Sequence, residues 1–130
     1  MDIKNLLLDL SQEETKEVRL NGRLSDVPFK IKPMSARQYN EIQKLCTKVD
    51  KKGKRDFDTS LFQLKTVIEC TVDPDFHDAE FMKQAGVASD TQLVNKILRV
   101  GEVGTLAEAI LDYSGFGQGT LEELEDTFQG

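Results

Sequence analysis

Tryptophan is absent, histidine occurs once, cysteine twice and proline three times, and no apolar run exceeds the three residues of Leu6-Leu7-Leu8. Each scarcity closes a route. A membrane-spanning helix needs roughly 20 apolar residues and a signal-peptide core about 7 to 15, so no membrane partner is expected. The chain should then remain in the compartment where it is made. Cys46 and Cys70 fall in helix-like stretches without a second cysteine or histidine at metal-ligand spacing, so they read as free, buried thiols acting as small hydrophobes. With His77 alone, a hydrolytic triad has one candidate base, and no serine stands in a Gly-x-Ser-x-Gly elbow to use it. No catalytic residue is assigned, and the chain does not read as an enzyme.

Positive charge is also in short supply. Seventeen Lys and Arg stand against 23 Asp and Glu, giving a net charge of -6 and a pI near 4.8. A general affinity for nucleic acid needs the opposite balance. The exception is the segment from Lys48 to Arg55, in which five positive side chains face one Asp50. No aromatic residue interleaves them, so a solvated, mobile loop is expected rather than a single-strand binding surface.

The other candidate sites are equally thin. Asp73-Pro74-Asp75-Phe76-His77-Asp78 offers carboxylates and an imidazole, but neither zinc nor EF-hand spacing, and capping of the next helix by Asp75 or Asp78 explains it better. Gly101-Glu102-Val103-Gly104 and the 115–119 run lack the preceding strand and the Lys-Ser or Lys-Thr of a phosphate loop. Neither metal nor cofactor is expected.

What remains is a chain of 130 residues, 38% of them hydrophobic and 7% aromatic, enough for one domain with a largely aliphatic core. Ile3, Leu6, Leu7 and Leu10 mark a short helical face. Alternation at Glu17-Val18-Arg19-Leu20 and at Pro28-Phe29-Lys30-Ile31-Lys32 predicts a β-hairpin over about 16–33. Ser35 with Gln38 forms a capping box for a helix over 35–49, and a central buried helix runs from Thr59 to about Thr71, where Pro74 stops it. Further helices are predicted from Asp78 to about Gln84, from Ser89 or Asp90 to about Leu98, and from about Val103 to Tyr113. Gly86, Gly101 and Gly115 are expected at helix ends in the left-handed conformation. The fold class is α+β: a mostly helical single domain over 1–114, with an N-terminal β-hairpin packed on helices. Residues 115–130 read as a flexible Gly-rich link and an acidic tail helix. Its stripe of Leu121, Leu124 and Phe128 has the spacing of a helix that docks in a partner's groove or folds back onto its own core.

Several motifs recur in an order that resembles a known family. Pro28-Phe29-Lys30-Ile31-Lys32-Pro33-Met34-Ser35, Pro74-Asp75-Phe76, Gly101-Glu102 and Gly115-Phe116 are similar to the XkdN-like phage tail assembly chaperones, from about Val18 to Phe116. That resemblance implies a non-enzymatic protein of a phage or prophage, made in the host bacterial cytoplasm and absent from the mature virion. Its implied partner is the tape measure protein, kept soluble while tail tube protein polymerises around it. A homo-oligomer is compatible with the same role. The competing classes are a structural tail or head-tail connector subunit, which should form a ring by itself, and an adaptor touching nucleic acid through its Lys-rich loop.

Overall fold

Helix caps set the frame of the molecule. In the computed structural model, which describes residues 2–11 and 14–116, most helices begin where a short polar side chain accepts a bond from an orphan backbone N–H. Asp2 caps α1 (Ile3–Leu10). Ser35 caps α2 (Ala36–Cys46), its Oγ accepting from the Gln38 amide at 3.1 Å while the Gln38 side chain accepts from Ser35 N. Asp58 caps α3 (Thr59–Cys70), Asp78 caps α4 (Ala79–Ala85) and Ser89 caps α5 (Asp90–Ile97). α6 (Val100–Tyr113) starts differently: the Glu102 carboxylate reaches back to accept from Arg99 N at 2.7 Å.

Strands β1 (Lys16–Val18) and β2 (Phe29–Ile31) pair antiparallel, with Val18 opposite Phe29 and Lys16 opposite Ile31. A 3-10 turn over Gly22–Leu24 lies between them. β2 is the centre of a three-stranded sheet whose third member, β5 (Thr71–Asp73), continues directly from α3. Phe29 and Ile31 face inward and are buried, while Lys30 between them is exposed, as the two-residue period of a strand requires. α3 packs against α6, α2 and α5 and is the axis of the core. Its Phe62, Val67 and Ile68 meet Leu93, Val94, Leu106 and Ile110 in one cluster.

The structure corrects four expectations. The helix predicted over 35–49 ends at Cys46, where the chain turns extended into β3 (Thr47–Val49) and pairs with β4 (Arg55–Phe57). Hence the Lys-rich segment is a hairpin turn rather than a loop. Asp50 builds it, accepting from the amides of Lys52 and Lys54 at 2.9 and 2.8 Å, with Gly53 at φ 81. Helices are therefore not the only elements after residue 35, since β5 also stands there. Gly101 lies within the first turn of α6 and not at a left-handed helix end; only Gly86 and Gly115 of the three have positive φ. Glu102, reaching back to Arg99, sets that helix start earlier than periodicity suggests. The core is largely aliphatic, with Phe29, Phe57, Phe62 and Phe76 buried among its aliphatic side chains.

Cys46 and Cys70 are free and buried, as their spacing implied. Burial pushes both thiols up from 9.0 to about 11. Lys65 near Cys46 and Lys32 near Cys70 pull the other way with less effect. Thiolate is the reactive form, so at pH 8 both cysteines should resist a disulfide reagent until denaturant unfolds the domain. Rapid modification of the native protein would contradict this burial. The same shift has a stability sign: its contribution is intact below pH 9 and is lost as the pH rises through about 11, because the unfolded thiols ionise first.

Candidate protein-binding surfaces

The family-like motif positions are structural in this fold. Pro28, Phe29, Ile31 and Pro33 place β2 over the core, and Phe29 and Ile31 supply its inward face. After Pro74, the Asp75 carboxylate accepts from His77 N at 2.9 Å, and Phe76 is fully buried with its ring stacked at 6.4 Å on Phe81. Gly101 and Glu102 open α6. Glu102 accepts two bonds from the Arg23 guanidinium, at 2.9 and 2.6 Å, and Arg23 also donates to the Ile97 carbonyl at 2.8 Å. That fork, with the Arg99 amide, holds the Glu102 carboxyl below its ordinary range. Gly115, at φ 100, ends α6, and Phe116 N donates to the Leu111 carbonyl at 2.9 Å. The Phe116 ring then lies 5.1 Å from that of Tyr39 on α2. These positions are distributed over β2, the turn before α4 and both ends of α6, and do not converge on one exposed patch.

His77 bridges two helices. Its Nε2 lies 3.4 Å from Glu69 on α3, and its Nδ1 lies 3.3 Å from Asp90 at the start of α5. Among the described residues no group of three or more His, Cys, Asp or Glu is arranged to hold a metal ion, and no helix is long and apolar enough to cross a membrane.

Apolar surface is more informative. Every residue of α1 is exposed, including Ile3 at 71%, Leu7 at 60% and Leu10 at 63%. An isolated helix of eight residues is marginal in water, and none of the residues of this one is buried by the rest of the domain. Leu8 is exposed as well, so the apolar surface exceeds the stripe of Ile3, Leu6, Leu7 and Leu10. Sequence reasoning found this helix but missed it as a surface, because spacing alone does not tell which stripes find cover. The unbroken run Leu6-Leu7-Leu8 was the available signal, since a helix that docks on one side has no use for a third adjacent leucine. A second feature is a cleft of about 480 Å³ between α3, α5 and the start of α6, where Leu61, Leu64, Leu98, Val100 and Val103 stand beside the polar Asp58, Ser60, Gln63 and Asn95. The partner-binding residues inferred from sequence, Leu121, Leu124 and Phe128, lie outside the described residues.

Similarity to known proteins agrees with the family that the motifs suggested. A crystal structure of the protein yqbn superposes with a TM-score of 0.61 at 21% identity, covering 81% of this chain and 87% of that one, which establishes a shared fold. The phage-like element PBSX protein XkdN of Bacillus subtilis is 28% identical over 105 residues, covering 77% of this chain and 70% of that protein. The model of the phage XkdN-like tail assembly chaperones matches residues 3–127, nearly the whole length. The chain therefore belongs to the family of phage XkdN-like tail assembly chaperone proteins.

Proposed function

We propose that this protein is a non-enzymatic chaperone that binds the tape measure protein and keeps it soluble while tail tube protein assembles around it. It would act in the host bacterial cytoplasm and leave before the virion matures. The observation that carries this reading is the family match over residues 3–127. The uncovered face of α1 adds a physical means. A long helical client exposes apolar stripes that aggregate when bare, and a helix presenting Ile3, Leu6, Leu7 and Leu10 can cover such a stripe as one strand of a helix-in-groove contact. An acidic net charge of -6 would then keep the complex dispersed.

Co-expression tests the proposal. The tape measure protein produced alone should be largely insoluble, and should become soluble and co-purify when this chain is supplied with it. Purified particles should lack the chain. If the client is no more soluble with it than without, the tape measure assignment is wrong; a stable ring in the particle would instead make it a connector subunit.

A further inference from the structure

The β3–β4 hairpin carries Lys48, Lys51, Lys52, Lys54 and Arg55 against the two carboxylates Asp50 and Asp56. Asp50 is already engaged by the amides of its own turn. Among the described residues none of the five cations belongs to an ion pair. In a chain with a net charge of -6, this is a concentrated positive surface, five cations against two carboxylates.

Uncovered apolar side chains stand beside it. Leu45, at the end of α2, and Val49, on β3, are each 63% exposed. Val49 pairs with Arg55 and Thr47 with Phe57, so Val49 shares a hairpin face with the buried Phe57 and extends it outward. A row of rings leads to that face from the last described residue. Phe116 lies on Tyr39, Tyr39 stands 6.0 Å from Phe62, and Phe62 stands 5.4 Å from Phe57. Along α2, Tyr39 and Leu45 are six residues apart, about 9 Å at the helical rise.

The 14 residues from 117 to 130 follow Phe116. Even wholly helical they would reach about 21 Å, more than the distance along α2 to the hairpin. They hold Leu121, Leu124 and Phe128 together with Glu122, Glu123, Glu125 and Asp126, and no Lys or Arg. Both the apolar and the charged chemistry of the hairpin face are matched.

We propose that the acidic C-terminal segment 117–130 docks on the basic β3–β4 hairpin of its own molecule, with its apolar stripe over Leu45 and Val49 and its carboxylates toward Lys51, Lys52, Lys54 and Arg55. The surface is a receptor for an acidic amphipathic segment, and the nearest such segment is tethered to Phe116. This contact needs no client, so its test is separate from that of the chaperone role.

The experiment uses the full chain with Thr127→Cys carrying a nitroxide, the native thiols being buried. The label should broaden the amide resonances of residues 47–57, and broadening should diminish at about 0.5 M salt, where the screening length falls to about 4 Å. Lys51→Glu/Lys52→Glu/Lys54→Glu should lower the docked-to-free ratio about tenfold, the combined weight of three exposed pairs. These are surface positions, so the fold should survive, and adding Glu122→Lys/Glu123→Lys/Glu125→Lys should restore the broadening. Broadening centred on α1 or on the cleft at Leu61 and Val103 would overturn the proposal, as would broadening nowhere, or broadening indifferent to charge reversal. Broadening seen only between a labelled copy and a separate isotope-enriched copy would overturn it in favour of a second molecule.

Discussion

Phe62→Ala is expected to cost about 3–5 kcal/mol, the range for removing a buried aromatic side chain. Phe62 is fully buried on α3 and meets Phe57 of the hairpin and Tyr39 of α2, so one ring joins three elements. Its loss removes transfer free energy, leaves a cavity and deletes two edge or tilted ring contacts. Against a total stability of about 5–15 kcal/mol for an ordinary domain, that is a large fraction. The melting temperature should fall by roughly 10–20 °C. Leu61→Ala, beside it on the half-buried wall of the cleft, should cost clearly less. Denaturant titrations of both variants check the contrast. Equal costs would mean that the ring row is not the centre of the core.

Replacing the face of α1 should separate function from stability. Ile3→Ser/Leu6→Ser/Leu7→Ser/Leu10→Ser removes four exposed apolar side chains, none of them a member of the core cluster. Exposed substitutions typically change stability by no more than about 0.5 kcal/mol each. Apolar anchors at an interface can each be worth more than about 1 kcal/mol, so client affinity should fall at least about tenfold, and more if all four contribute. Solubility of the co-expressed tape measure protein is the readout, with the denaturation midpoint as control. Unimpaired rescue by a folded variant would move the client site elsewhere, the cleft of α3, α5 and α6 being next. A large stability loss would show that α1 has cover within the molecule.

The helices were legible because their signals are local. Ser35 with Gln38, Asp58, Asp78 and Ser89 each sit beside the amides they cap, and the apolar period of 59–70 runs over several turns. The β1–β2 hairpin was legible through the alternation around Phe29 and Ile31. The strands that were missed have three residues each, too short to establish a period, and two of them, β3 and β5, follow helices without a break. Thr71-Val72-Asp73 extends the apolar face of α3 in sequence, and it is a strand because β2 offers it an edge some 40 residues earlier in the chain. Thr47-Lys48-Val49 is similar: Val49 fits the helical spacing of α2, but the turn built by Asp50 and Gly53 brings β4 alongside. As for the site, apolar stripes at both ends of the chain are visible in sequence. Their exposure is not, because it depends on what tertiary packing covers.

The bonds that close this domain also bear on when it can form during synthesis. Arg23 reaches Glu102 across 79 residues, Met34 N donates to Ser114 Oγ across 80, and Phe116 lies on Tyr39. The N-terminal half therefore receives its last partners only as α6 and the three residues after it leave the ribosome. Contacts of such high sequence separation slow folding, since loop closure precedes the contacts that reward it. Until then the inward faces of β2 and α3 lack the cover of α6, and the nascent chain is itself a protein with bare apolar surface. α1 is the exception. No later residue buries it, so the face proposed for the client is left open when the rest of the domain closes.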